Sequence, residues 1–205
     1  MNYFEKAIIK YIGKENFNKI QAVTIGIAGA GGLGSNCAFN LIRSGFKNLL
    51  LVDFDIVDYS NINRQFYFYE QIGILKVTAL RKNLLAINPN AEIKVINVKL
   101  ERENIYSVFK DCDIIVEAFD KAPYKKMLFE EFYLTNKFIV LASGLAGWGN
   151  SDTITTNKIK DNIYIIGDRI SEISNNSPPI SPRVNIAAAK QADIILEYVL
   201  KDKFE

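Results

Sequence analysis

Ile27-Ala28-Gly29-Ala30-Gly31-Gly32-Leu33-Gly34-Ser35-Asn36, then Leu51-Val52-Asp53-Phe54-Asp55, then Ser60-Asn61-Ile62-Asn63-Arg64-Gln65 are the segments on which the fold turns. The glycines read Gly29-x-Gly31-x-x-Gly34 directly after the largely apolar run Ala22 to Ala28. That pattern is the fingerprint of a nucleotide-binding βαβ unit. Gly29 allows the tight turn, Gly31 lets a phosphate approach the backbone, and Gly34 lets the helix close on the strand. The helix start then presents free N–H groups and a positive dipole end to an anion. A second apolar strand, Asn48 to Val52, ends in Asp53, nineteen residues after Gly34, where an acid grips ribose hydroxyls.

A dinucleotide site needs little else that is charged, yet this chain continues with Asp55, Arg64 and Lys76. Open α/β sheets bind ligands at the carboxyl ends of their strands, so these side chains are expected near the phosphate loop. Two cations there point to a triphosphate whose charge is neutralised during reaction. Asp55 either touches the nucleotide or orders the loop through turn hydrogen bonds. Asn61 and Asn63 are turn formers, and Lys76 taken alone reads as a solvated helix position. No acid lies within three residues of Arg64 to pair with it locally. Asp120 closes the strand and turn Ile114 to Phe119, facing the same crevice, where a carboxylate is placed to hold Mg²⁺.

The remaining sequence alternates strand and helix. Apolar residues at 4, 8, 9 and 12 predict an N-terminal helix, and Leu33 to Ser44 a helix stopped by Gly45. Val77, Leu80, Leu84 and Ile87 predict a helix stopped by Asn88-Pro89. Glu92 to Val98, Asp113 to Val116 and Phe138 to Ala142 read as strands, with a helix from Pro123 to Thr135 between the last two. Past Gly144 the texture changes. Asp152 to Thr156 and Asn162 to Ile166 predict a hairpin turning across Lys158 to Asp161. Ser171 to Arg183 predicts a loop, and Val184 to Val199 a last amphipathic helix. The expected fold is an α/β, doubly wound Rossmann-like and mostly parallel sheet with an antiparallel hairpin near the C-terminus and a final helix, as one domain over residues 1–205.

Composition narrows the chemistry. The chain has 205 residues, a formal charge of +2 and no histidine. Histidine general bases and Ser-His-Asp triads are therefore excluded, and two cysteines cannot build a four-thiolate zinc site. The near-neutral charge makes no case for nucleic acid or an anionic membrane. No run approaches a membrane span, and Met1 to Lys6 does not read as a secretory leader. Cys37 and Cys112, neither in a CxxC, are expected as inert packing residues in a reducing cytoplasm.

Taken together, GxGGLG, DxD, SNxNRQ and the downstream lysine resemble the ThiF/MoeB/HesA family of ATP-dependent activating enzymes. The resemblance runs from Val23 to about Pro89, with weaker matches at Asp111 to Asp120 and Pro182 to Ala192. It implies adenylation of the C-terminal carboxylate of a small ubiquitin-like sulfur carrier with a Gly-Gly tail, as in thiamine thiazole synthesis. It implies that Gly32 approaches the phosphates, that Ser60, Asn61 and Asn63 belong to the nucleotide site, and that Arg64 and Lys76 meet the ATP phosphates. It also implies that Asp120 holds Mg²⁺, that the protein is a homodimer, and that a cysteine desulfurase or sulfurtransferase supplies sulfur.

This chain departs from the family pattern in four places. Lys121 and Lys125 stand where the family has Asn and a nearby Arg. The CxxC pairs that bind structural zinc in larger members are missing, so no zinc is expected. No cysteine follows Cys112 to form a thioester or acyl disulfide. The first arginine is Arg43, so the N-terminal arginine finger of some relatives is absent, with Lys14 or Lys19 the nearest replacements. Three alternatives stay open: an NAD-dependent oxidoreductase, adenylation of another carboxylate or a tRNA base, and a non-catalytic binding subunit. The oxidoreductase would leave Arg64, Lys76 and Asp120 without a role.

Overall fold

The computed structural model describes residues 1–201, so the last four residues of the domain expected over 1–205 lie outside the described residues. The strands are β1 (Thr24–Ala28), β2 (Asn48–Val52), β3 (Glu92–Ile96), β4 (Ile114–Glu117), β5 (Phe138–Ala142), β6 (Thr155–Lys160) and β7 (Ile163–Gly167). The helices are α1 (Tyr3–Ala22), α2 (Gly32–Arg43), α3 (Lys76–Ile87), α4 (Ile105–Phe109), α5 (Ala122–Phe132) and α6 (Ser181–Leu200). The sheet order is β3-β2-β1-β4-β5-β7-β6, with every pair parallel except β6 against β7. This is the doubly wound arrangement with an antiparallel edge and a closing helix.

The strand sequences alternate sides of the sheet, because successive side chains point to opposite faces. Ile25, Ile27, Leu49, Leu51, Ile114 and Val116 pack with α1, α2, α3 and α6 on one face. Leu50, Val52, Ile115 and Ile139 meet α4 and α5 on the other. Such continuous apolar runs belong to strands covered on both faces. No helix among the described residues is long and apolar enough to cross a membrane.

Several boundaries differ from the sequence reading. The N-terminal helix continues to Ala22, but Gly13 breaks it with φ +81°, so the expected segment is its first half. Its start is capped reciprocally: the Glu5 amide donates to Asn2 Oδ1 at 2.9 Å and the Asn2 amide to Glu5 Oε2 at 3.0 Å. The hairpin turns later than expected. Lys158 to Lys160 are in strand β6, and the connection shrinks to Asp161-Asn162, because Lys158 and Lys160 pair with Tyr164 and Ile163. The final helix begins at Ser181 instead of Val184, with Pro182 in its first turn, where a missing N–H costs nothing. Helix α4 is too short for a periodic signal and was not anticipated.

Gly34 carries a fold-level constraint. A Cβ there would run into the carbonyl oxygen of Gly29, so only glycine lets α2 start this close to the turn. Gly34→Ala is expected to destabilise the protein by about 3 kcal/mol or more, read from the denaturant midpoint. Gly31→Ala, where the nearest side-chain atom to a new Cβ is 3.9 Å away, is the matched control and should stay within about 1 kcal/mol of wild type.

Candidate active site

From β1 the chain crosses to β2 and then β3 on one side, and from β3 it returns across to β4 on the other side of β1. At that switch point, beyond the strands' carboxyl ends, lies a cavity of about 720 Å³. Gly29, Gly31 and Gly32 form its floor, and Asp53, Asp55, Asn61, Arg64, Lys76 and Asp120 line its walls. Residues spread over 92 positions of sequence thus meet in one space, which fits an organic ligand of nucleotide size.

The glycine turn is tightly built. Gly29 has φ +102°, a left-handed conformation that glycine adopts without strain, and a Cβ there would press on the Ala118 carbonyl. Gly31 occupies the N-cap of α2 with its α-carbon open toward the cavity, a cradle that a side chain would fill. The first amides of α2 have no intrahelical acceptor, so they are available to an anion.

Asp53 is fastened to this turn. Its Oδ2 accepts the Ala30 N–H at 2.6 Å and its Oδ1 accepts the Asp55 N–H at 2.8 Å. Burial pushes its carboxyl above the ordinary value, against the opposing pull of those amides and of Lys76. Each oxygen keeps a second lone pair, enough to accept from hydroxyl groups in the cavity.

The two cations sit on opposite supports. Lys76, the first residue of α3, is buried, and its Nζ lies 2.7 Å from Asp55 Oδ2; its amide donates to the Asp55 carbonyl at 2.9 Å. The reading of Lys76 as a solvated position is thereby removed, and Asp55 visibly orders the loop. Arg64 is half-buried, with Nη1 donating to the Ser60 carbonyl at 2.9 Å and to Asn63 Oδ1 at 2.7 Å. Burial lowers its pKa, and the facing Asp120 carboxylate works against that fall.

Not every residue picked from the sequence reaches the cavity. Ser60 and Asn63 do not line it. The Ser60 hydroxyl donates to Asp58 Oδ1 at 2.6 Å, and Asn63 Nδ2 donates to the Pro179 carbonyl at 3.3 Å, so both shape the loop that carries Arg64. Asn61 does line it, and its side chain accepts the Asp58 amide at 3.0 Å. Asp113 is far from the site: its Oδ2 accepts the Thr24 amide at 2.8 Å, at the amino ends of the strands.

Three contributors went unrecognised in the sequence. Glu117, fully buried at the end of β4, accepts from Lys125 Nζ through both oxygens at 2.9 and 3.0 Å, from the Phe119 amide at 2.7 Å and from the Ala142 amide at 3.2 Å. This bond set explains Lys125, which lines the cavity as the counter-ion of a buried acid. The signal available was an acid ending the apolar run Ile114-Ile115-Val116. Arg183 and Asp168 form a second buried pair, and Arg183 Nη1 also donates to the Gly149 carbonyl at 2.6 Å, tying α6 to the loop after β5. Burial raises the Asp168 carboxyl, but the Ser171 and Ile170 amides, the Ser171 hydroxyl and Arg183 outweigh it and hold the group below the usual range. No local sequence pattern announces that pair. The third is Gln65, the end of the SNxNRQ motif but given no role in the sequence reading, which is buried with Oε1 unpartnered and lines the cavity.

Among the described residues no cluster of three acidic, histidine or cysteine side chains could hold a metal alone. The exposed Asp120 is a single carboxylate, a donor set that suits Mg²⁺ arriving on phosphate oxygens with its own waters.

Comparison with known proteins identifies the family. Residues 3–198 match the family described as the ThiF family. SUMO-activating enzyme subunit 2 of Dictyostelium discoideum is 32% identical over 143 residues, covering 69% of this chain and 22% of its own length. The sulfur carrier protein adenylyltransferase of Thermus thermophilus is 28% identical over 142 residues, covering 69% of this chain and 52% of its own. The chain thus spans between about a fifth and a half of these two relatives. Among solved structures, E. coli tRNA N6-threonylcarbamoyladenosine dehydratase, TcdA, in complex with AMP superposes with a TM-score of 0.86 at 17% identity, covering 95% of this chain and 93% of that one, a likeness of fold.

Proposed function

The chain belongs to the ThiF family, and on that premise we propose that it is an ATP-dependent adenylyltransferase acting on a carboxylate, that of a small ubiquitin-like sulfur carrier with a Gly-Gly tail. The observation that supports this most is the convergence of the glycine turn, Asp53, Arg64, Lys76 and Asp120 on one cavity, in a chain without histidine. A carboxylate is already ionised at pH 7, so no general base is needed. Its oxygen attacks the α-phosphorus, the bond to the bridging oxygen of the leaving pyrophosphate breaks, and an acyl-adenylate results.

In this reading the chain supplies alignment and charge neutralisation. Asp53 holds the ribose hydroxyls, and Gly31 and Gly32 let the phosphates approach the start of α2. Arg64 and Lys76 neutralise charge on the phosphates, and Asp55 keeps Lys76 aimed into the cavity. Asp120 would hold Mg²⁺, which screens phosphate charge when bound. The β6–β7 hairpin and the 171–180 segment would dock the carrier and guide its tail. The same reading makes residues 1–205 one adenylation domain, acting as a homodimer, with a separate cysteine desulfurase or sulfurtransferase delivering sulfur.

Exchange of radiolabelled pyrophosphate into ATP, with and without a candidate carrier, tests the proposal. Carrier-dependent exchange supports it; NAD binding without exchange would support an oxidoreductase instead. The near full-length likeness to TcdA favours one second reading, in which the acceptor is the carboxylate of a threonylcarbamoyl group on tRNA. Exchange that depends on tRNA and not on carrier would select it.

The cysteines bear on where the reaction stops. Cys37 is fully buried, and burial pushes its thiol far above the ordinary range; Cys112 is buried and pushed up to about 11. A thiolate nucleophile needs exposure and an electropositive setting; neither residue is exposed, and Lys137 and Lys94 near Cys112 do not offset its burial. A Cys37→Ser, Cys112→Ala double mutant is expected to form the acyl-adenylate at the wild-type rate, with some loss of stability. Intact-mass spectrometry under non-reducing conditions checks this. A reducible enzyme–carrier adduct present in wild type and absent in the double mutant would refute it.

A further inference from the structure

We infer that Tyr67, through its hydroxyl, is a positioning residue for the phosphate-binding turn; this rests on the proposed nucleotide function. Tyr67 is buried, and its hydroxyl donates to the Ala30 carbonyl at 2.7 Å. The neighbouring peptide is held from the other side, where the Ala30 N–H donates to Asp53 Oδ2 at 2.6 Å. Both peptide planes flanking Ala30 are therefore pinned, one by a strand-end carboxylate and one by a phenol. Those planes set the direction in which Gly31 and Gly32 enter α2, and hence where the free amides of its first turn point.

Two further bonds stitch the Tyr67 segment to the same turn. The Phe66 amide donates to Ser35 Oγ at 2.9 Å while that hydroxyl donates to the Gly31 carbonyl at 2.7 Å. Asn36 Nδ2 donates to both the Gly32 carbonyl at 2.7 Å and the Arg64 carbonyl at 2.8 Å. Residues 64 to 67 thus run as a strap across the start of α2, carrying Arg64 at one end and the Tyr67 anchor at the other. Through this strap the glycine turn and the arginine keep a common register, so phosphate donors on two separate segments act on one group. Burial, reinforced by the carboxylates of Asp53 and Asp55, raises the phenol well above its ordinary range, so the hydroxyl remains a donor at physiological pH.

Tyr67→Phe removes one oxygen and keeps the ring that fills the space. Binding of ATP, AMP and adenosine to the folded wild-type and variant chains is measured by calorimetry, with folding verified by circular dichroism. The variant is expected to bind ATP and AMP roughly five- to tenfold more weakly, the usual effect of one well-placed hydrogen bond. Adenosine, which lacks phosphate, should bind equally to both. The ratio of wild-type to variant affinity for ATP should stay constant from about pH 6 to 9, because the phenol does not titrate there. Unchanged ATP affinity in the variant overturns the inference. An equal loss for adenosine also overturns it, since that marks general loosening of the fold. A wild-type chain that binds neither ATP nor AMP overturns the proposed function itself, and the inference with it.

Discussion

Lys76→Ala is expected to slow acyl-adenylate formation by about 10²–10³, the usual cost of losing one charge contact that strengthens in the transition state. The ammonium lines the cavity from the first residue of α3, 2.7 Å from Asp55 Oδ2, and its side chain is only 8% exposed. It cannot move far when phosphate arrives, so its charge is pre-positioned. A surface lysine could be removed without consequence for folding, and the sequence suggested such a position. The structure changes that expectation: the alanine variant also vacates a buried stem and should lose roughly 1 kcal/mol of stability. Asp55, half exposed at 49%, is left to water and adds little to the loss. Lys76→Met keeps most of the stem and removes only the charge. It should show the same fall in single-turnover rate with a smaller shift in thermal midpoint. Wild-type pyrophosphate exchange in either variant removes Lys76 from the mechanism.

The second large effect belongs to Asp120→Asn, where turnover of ATP should fall by at least about 10² because a neutral amide is a poor ligand for a hard cation. The side chain is exposed on the cavity and faces Arg64, so the substitution preserves shape and local packing. Part of the activity should return at high Mg²⁺ or with Mn²⁺, read as a shift in metal dependence at saturating ATP. Normal activity with normal metal dependence would pass the role to Asp55, an acid on the cavity that is not fastened to the glycine turn. Asp113 cannot take it, because it is bonded to the Thr24 amide at the opposite end of the sheet.

How much of this was legible beforehand follows from the range of each interaction. The glycine spacing, the apolar strand runs and the acid after β2 are local patterns, governed by backbone sterics and by side-chain alternation. They were sufficient for the parallel sheet, for most helices and for the position of the crevice. The hairpin was misplaced by about three residues, because polar residues at Lys158 and Lys160 suit an exposed edge strand as well as a turn.

By itself, then, the sequence determined the doubly wound fold, the tight glycine turn between β1 and α2 and the absence of histidine chemistry, since each depends on neighbours within one element or on composition. Only the tertiary structure decided which polar residues act together. Lys76 proved to be buried against Asp55, Glu117 to hold Lys125, Arg183 to clasp Asp168, and Tyr67 to reach Ala30, across 21, 8, 15 and 37 positions. A carboxylate or phenol reads the same in sequence whether it meets solvent or a partner. Its desolvation and its hydrogen bonds are set by what the fold brings against it, and those contacts exist only once the sheet has closed and both faces are covered.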